Sequence, residues 1–220
     1  MMSAIFRKTG IEEPVFKLLL DRTEASVSYQ LREYGKRIAI ETRYNDVFDD
    51  SSAFMKLAGY IGVFGPPNNQ DNIPMAMTTP VVRNGTNGTK IAMTAPVVRE
   101  KGMMQFILPA KYTSLEKTPT PTDAAVALKE IPPSLGAVKF FSGPRDFILC
   151  RNWALALGQQ LREDGVDLSE DYVLQSYQFW SYDPPSVPSS LRRNEVWIPL
   201  TPDQATAIVA SYGGEQHASN

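Results

Sequence analysis

The chain has 220 residues, 43% of them hydrophobic and 21% charged; that is enough apolar mass for one substantial core and excludes a disordered chain. Its net charge of −2 gives no electrostatic case for nucleic acid or an anionic membrane, and no apolar run reaches the length that spans a bilayer. Cys150 is the single cysteine, so neither a disulfide framework nor a cysteine-based metal site is expected, which suits a reducing compartment.

Residues 1–24 read as an N-terminal extension in which "EEPVFKLL" is either a short helix or an opening strand. The first ten residues lack the apolar core and cleavage site of a secretory signal. A cytoplasmic location is therefore expected, or a plastid one if a transit peptide is missing from this chain. In "SVSYQLREY" (26–34) Val27, Tyr29 and Leu31 fall on one face, and Ser28, Gln30 and Arg32 on the other. "RIAIETRY" (37–44) alternates through Ile38 and Ile40, and the two runs across Gly35-Lys36 predict a hairpin. In "DDSSAFMKLAGYIG" Asp50 or Ser51 can cap a helix whose Phe54, Leu57, Ala58 and Ile61 recur at helical spacing, with Gly62 and Gly65 as stops.

Two near-identical arms come next. Met77-Thr78-Thr79-Pro80-Val81-Val82 and Met93-Thr94-Ala95-Pro96-Val97-Val98 flank an Asn-Gly turn, and Pro80 and Pro96, unable to donate to a ladder, predict a bend or an edge there. "MMQFILP" (103–109) is a strand, and the proline- and threonine-rich 111–123 a connector. "VALKEI" (126–131) and "GAVKFFSG" (136–143) are strands. Residues 144–165 form the strongest helix, with Phe147, Cys150, Ala154, Leu157 and Leu161 on one face. "YVLQSYQFWSY" (172–182) and "NEVWIPL" (194–200) complete the strands, and 201–220 reads as a C-terminal tail. Two halves, about 26–109 and 126–200, thus repeat strand–strand–helix–strand–strand within a single domain, 25–200, of α+β class.

The chemistry-bearing residues are few. The single histidine, His217, lies in the polar tail, which leaves no histidine in the body of the fold for a zinc site or a nucleophile–histidine–acid triad. No phosphate loop, dinucleotide fingerprint or kinase motif is present. The positive signal is soft and apolar: Met55, Met75, Met77, Met93, Met103 and Met104 crowd one stretch. Methionine suits surfaces that accept flat apolar ligands, and it fills core gaps equally well. Lys56, Arg192 and Arg193 could pair the acid groups of an amphipathic ligand; taken singly, each reads as a solvated surface residue.

"YQLREYGKRIAIET", "AFMKLAGYIG", "IAMTAPVV", "MQFILPAKY", "FSGPRDF" and "YDPPSVPSSLRRNEVWIPL", in this order, resemble the SOUL haem-binding family across residues 14–200. The resemblance implies a distorted antiparallel β-barrel of two pseudo-symmetric ββαββ halves with two helices packed outside. It also implies reversible, non-covalent binding of haem or another porphyrin in a hydrophobic groove between the first helix and the loop before the last strand. Position by position it sets Lys56 where members can place a basic residue on the first helix, with Met55 and Tyr60 on or near that segment. Met75, Met77 and Met93 are candidates from the methionine-rich stretch, which the resemblance places in strands near the groove. Val187 stands in the proline-rich loop where some members carry lysine, so Arg192 or Arg193 would have to replace that clamp. A histidine axial ligand is not expected.

The expected function is non-catalytic carriage or buffering of tetrapyrroles, with no nucleic acid and no membrane span involved. One alternative is an enzyme acting on a small hydrophobic molecule in the same groove, which a strongly shifted ionisable group there would mark. Another is a signalling or interaction module, which pigment-free binding of a protein partner would mark.

Overall fold

Nine strands and four helices make up the computed structural model, which describes residues 11–44, 50–84, 102–184 and 186–213. In chain order they are β1 (Phe16–Arg22), β2 (Tyr29–Tyr34), β3 (Arg37–Tyr44), α1 (Ser51–Ile61), β4 (Val81–Asn84), β5 (Gly102–Ile107), β6 (Ala127–Ile131), β7 (Ser134–Phe141), α2 (Phe147–Glu163), α3 (Glu170–Ser176), β8 (Gln178–Ser181), β9 (Asn194–Pro199) and α4 (Pro202–Tyr212).

The strands form one antiparallel sheet in the order β1-β2-β7-β9-β8-β4-β5-β3-β6. With the second half set against the first (β2 with β6, β3 with β7, β4 with β8, β5 with β9), everything inside β1 reads the same from either end. β8 and β4 meet at the centre, pairing Val81 with Ser181 and Asn84 with Gln178. The predicted hairpin does not form. β2 pairs with β1 and β7, and β3 with β5 and β6. The reason lies in the packing: Tyr29 and Leu31 are buried with Leu157 and Leu161 of α2, whereas Ile38 and Ile40 are buried with Leu57 and Ala58 of α1. The chain at Gly35-Lys36 therefore crosses from one half to the other instead of folding back.

The sheet curls strongly. Five strand-to-strand steps separate β7 from β3 in this order, about 24 Å if the sheet were flat, yet Arg37 at the start of β3 donates to Ser134 Oγ of β7 at 2.5 Å. Tyr34 of β2 packs against Trp180 of β8 with ring centroids 5.3 Å apart. No pairing joins β1 to β6 among the described residues, so the sheet remains open.

Strand alternation sorts side chains to the two faces. Along β9, Val196 and Ile198 enter the cluster under α2, α3 and α4, while Trp197 joins Tyr34, Val82, Ile107, Val138, Trp180 and Tyr182 on the other face. Along β5, Met104 and Phe106 pack beneath α1. Asp146 caps α2 by accepting from the Leu149 amide at 2.8 Å. Fully burying Leu157 and Leu161 contributes about 2 kcal/mol each, against about 1 kcal/mol for the cap, so this helix is held mainly by its apolar face. Cys150 lies in that face, 2% exposed, and burial pushes its thiol pKa up to about 12.

One open alternative closes and three further expectations change. The opening segment resolves as strand β1. The run at 172–182 begins as helix α3, whose Ser169 accepts from the Tyr172 amide at 3.0 Å, and becomes β8 only at Gln178. Of the first methionine–proline arm only the residues after Pro80 enter a strand, and the second arm, with Met93, lies outside the described residues. The segment read as tail starts with α4, closed by a reciprocal capping box between Thr201 and Gln204. Among the described residues no helix is long and apolar enough to cross a membrane.

Candidate functional site

The centre of the sheet, where β4 meets β8, brings the start of α1, the start of α2 and the loop before β9 to one place. Arg83 of β4 organises it. Its Nε donates to the Asp50 carboxylate, one Nη donates to Ser181 Oγ at 2.9 Å, and the guanidinium lies 5.7 Å over the Phe179 ring. Asp50 precedes α1 yet makes no side-chain cap to it, because its carboxylate is turned toward Arg83.

Arg145, immediately before the Asp146 cap of α2, stands in the field of this pair and of Arg192. Partial burial first, and then the positive charges of Arg83 and Arg192, hold its pKa below the ordinary arginine value, while Asp50 acts in the opposite direction. Arg145 thus lies within electrostatic reach of Arg83, Arg192 and Asp50, and the Asp50 carboxylate already accepts from Arg83. Exposed apolar side chains stand on the same three elements: Met55 on α1, Ile148 on α2 and Leu191 next to Arg192, at 51%, 61% and 65% exposure. Positive charge beside exposed apolar surface is the chemistry that receives an amphipathic acid.

The residues named from the sequence fall into separate groups. Met55 is exposed and Lys56 half-buried on α1. Val187 and Arg192 touch, since Arg192 Nε donates to the Val187 carbonyl at 2.7 Å. Tyr60 is 0% exposed and donates its hydroxyl to the Pro119 carbonyl at 2.7 Å; burial raises its pKa well above the usual phenol value. Met75 is buried among Tyr60 and Ile61, with Met77 packed against that cluster. Met93 lies outside the described residues.

Arg193 faces elsewhere. Its two Nη groups meet Glu13 at 3.0 Å and Glu195 at 2.9 Å, and its guanidinium lies 3.8 Å over the Tyr182 ring. Glu195, fully buried, also accepts from Arg32 at 3.0 Å and from the Tyr182 hydroxyl at 2.7 Å. This network satisfies a buried carboxylate on the inner face of the sheet. Arg83 and Arg145 were not singled out in the sequence, where an arginine in a strand and one before a helix look like any solvated cation.

Among the described residues no group of three His, Cys, Asp or Glu side chains could hold a metal ion. The residues around Arg145 do fit the periphery of a tetrapyrrole, whose acid side chains need cations and whose macrocycle needs apolar surface.

Comparison with solved structures supports the fold alone. A hydrolase from Listeria innocua aligns with TM-score 0.54 at 9% identity, covering 81% of this chain and 94% of that one. An uncharacterized conserved protein from the same organism gives 0.54 at 10%, covering 79% and 92%. The EcmrR C-terminal domain gives 0.51 at 16%, covering 79% and 96%. No curated protein matches the chain. The sequence matches the SOUL heme-binding protein family over residues 11–199, nearly the whole of the described fold, and the chain belongs to that family.

Proposed function

We propose that this protein binds haem or related tetrapyrroles reversibly and without chemistry, as a carrier or buffer, in a groove between α1 and the loop before β9. The electrostatic coupling of Arg145 to Arg83 and Arg192, on elements that also carry exposed Met55, Ile148 and Leu191, carries the reading. Arg145 and Arg192 receive the ligand's carboxylates, Arg83 holds the floor of the site through Asp50, and Lys56 borders it from α1. Bound haem would supply its own iron chemistry. This chain contributes orientation, charge pairing and exclusion of water. The Tyr60 hydroxyl and the Cys150 thiol are buried in other contacts, so recognition here rests on packing and ion pairing rather than on an axial histidine. The strand order supports reading the sheet as two pseudo-symmetric halves wrapped into a distorted barrel, left open between β1 and β6.

Titration with hemin and with metal-free protoporphyrin, followed by the Soret band and tryptophan quenching, tests this. Both pigments are expected to bind at one site per chain with similar strength. Arg145→Gln and Arg192→Gln should each weaken both by about tenfold, the size of one charge-assisted hydrogen bond. Tight binding of hemin alone would overturn the packing account, and absence of saturable binding to either would overturn the function.

A further inference from the structure

A second place in the molecule has the form of a ligand site. Where the N-terminal segment meets the β2–β3 turn, a cleft of about 820 Å³ is walled mainly by apolar groups, among them Pro14, Phe16, Tyr34, Ile38, Leu108 and Tyr112. That volume is ordinary for a small-molecule pocket. A smaller cavity of about 140 Å³ lies among β3 to β9, and Arg37 and Ile107 belong to the linings of both. None of Arg83, Arg145 and Arg192 lines either one.

Arg37 is the unusual group. It donates to Ser134 Oγ and its guanidinium lies 4.7 Å over the Tyr34 ring, yet its Nε is shut off from solvent with no hydrogen-bond partner. No carboxylate pairs with it among the described residues. Desolvation without a counter-charge brings its pKa down to about 10, which still leaves it cationic at neutral pH.

The other charges around the larger cleft have answers nearby. Glu13 meets Arg193 at 3.0 Å, Lys36 meets Glu130 at 3.3 Å, Glu12 accepts from the Ala110 amide at 2.6 Å, and Lys17 faces Glu33 across the β1–β2 ladder. Around the smaller cavity, Trp197 Nε1 is a second buried donor without a partner, Asn84 Oδ1 is an unpartnered acceptor, and Lys129 adds positive charge to the lining. A buried cation beside an unused N–H is costly unless an anion arrives. A planar carboxylate matches the guanidinium edge.

We propose that these cavities form a second binding site, distinct from the groove at α1, for a small apolar carboxylic acid whose carboxylate is received by Arg37 and whose body lies against Phe16, Tyr34 and Tyr112.

Calorimetric titration of the full chain with octanoate and with 1-octanol separates the carboxylate from the tail. Octanoate is expected to bind one to one and about tenfold or more tighter than octanol. Arg37→Gln should bring octanoate to octanol's level while leaving hemin titration unchanged. Ala110→Trp, on the exposed rim of the cleft, should weaken octanoate as well, and it decides the matter if the Arg37 variant does not fold. Equal affinity for the two probes would show that Arg37 recognises nothing. Failure of octanoate to bind would show that the cavities receive no such acid. Displacement of octanoate by hemin would show that there is one site and not two. Any of these results overturns the proposal.

Discussion

Asp164, its side chain 3% exposed, joins three parts of the chain at the end of α2. It accepts from Arg22 of β1 at 3.2 Å, from the Tyr29 hydroxyl of β2 at 2.5 Å and from Gln160 at 3.2 Å. Burial alone would raise its pKa. The hydrogen bonds from Arg22 and Tyr29 and the charge of Arg22 outweigh burial and hold the carboxyl below its ordinary value. A depressed folded-state pKa stabilises the protein above the unfolded value, near 4, and that contribution is lost as pH falls through the folded value. Asp164→Asn is therefore expected to cost about 2 kcal/mol at pH 7, with the gap to wild type narrowing as pH drops below about 4. Urea midpoints of both proteins at pH 7 and pH 3 measure this, and a gap that stays constant would contradict the assignment. The same scale shows where strand alternation is a partial guide. It separated Tyr29 and Leu31 from Gln30 and Arg32 correctly. Nothing in the local pattern said that Arg32 would be 3% exposed, because its partner Glu195 lies 163 positions away.

At the scale of elements, the contact between α2 and α3 depends on Gly158. A Cβ built there would stand 2.7 Å from Val173 Cγ2 and 3.2 Å from its Cγ1. Alanine would improve helix propensity by about 1 kcal/mol. Overpacking against a fully buried branched side chain costs about 1–3 kcal/mol, so the net effect of Gly158→Ala should be destabilising by about 1 kcal/mol. Val173→Ala in the same chain should restore part of the loss. Chemical denaturation of the two single variants and the double variant checks the sign, and a Gly158→Ala protein at or above wild-type stability would show that α3 yields freely.

The α3 segment also shows why strand propensity misleads over 172–176. Its Tyr, Val and Leu content favours a strand, whereas the helix is started by Ser169 and two acidic residues in the first turn, and the strand signal belongs only to the residues from Gln178 onward. For α4 the local cues were all present: Thr201, Pro202 and Gln204 spell a capping box with proline at the first helical position.

For the whole molecule, the exchange of strands between halves should make unfolding a single event. β2 of the first half sits on β7 of the second, and β6 of the second sits on β3 of the first. Trp153, Trp180 and Trp197 all lie in the second half, so fluorescence reports on that half while far-ultraviolet dichroism reports on both. Their urea transitions are expected to coincide, and separated midpoints would mean that the halves melt independently. The repeat of elements was legible because periodicity is local. The pairing was not, since register between distant strands depends on which helix each apolar face covers. The candidate groove was legible only in outline for the same reason. Met55, Lys56 and Arg192 were named, but Arg83 and Arg145 gain meaning only once β4 and β8 are neighbours.

The end-to-end symmetry of the strand order has a consequence for how such a chain could be taken apart. Each half lends one strand to the other and receives one in return, which is the arrangement of a domain-swapped dimer whose two subunits have been fused through the 111–123 segment. A cut in that linker would leave two fragments, each with an unfilled slot in its own sheet and a loose strand fitted to its companion's slot.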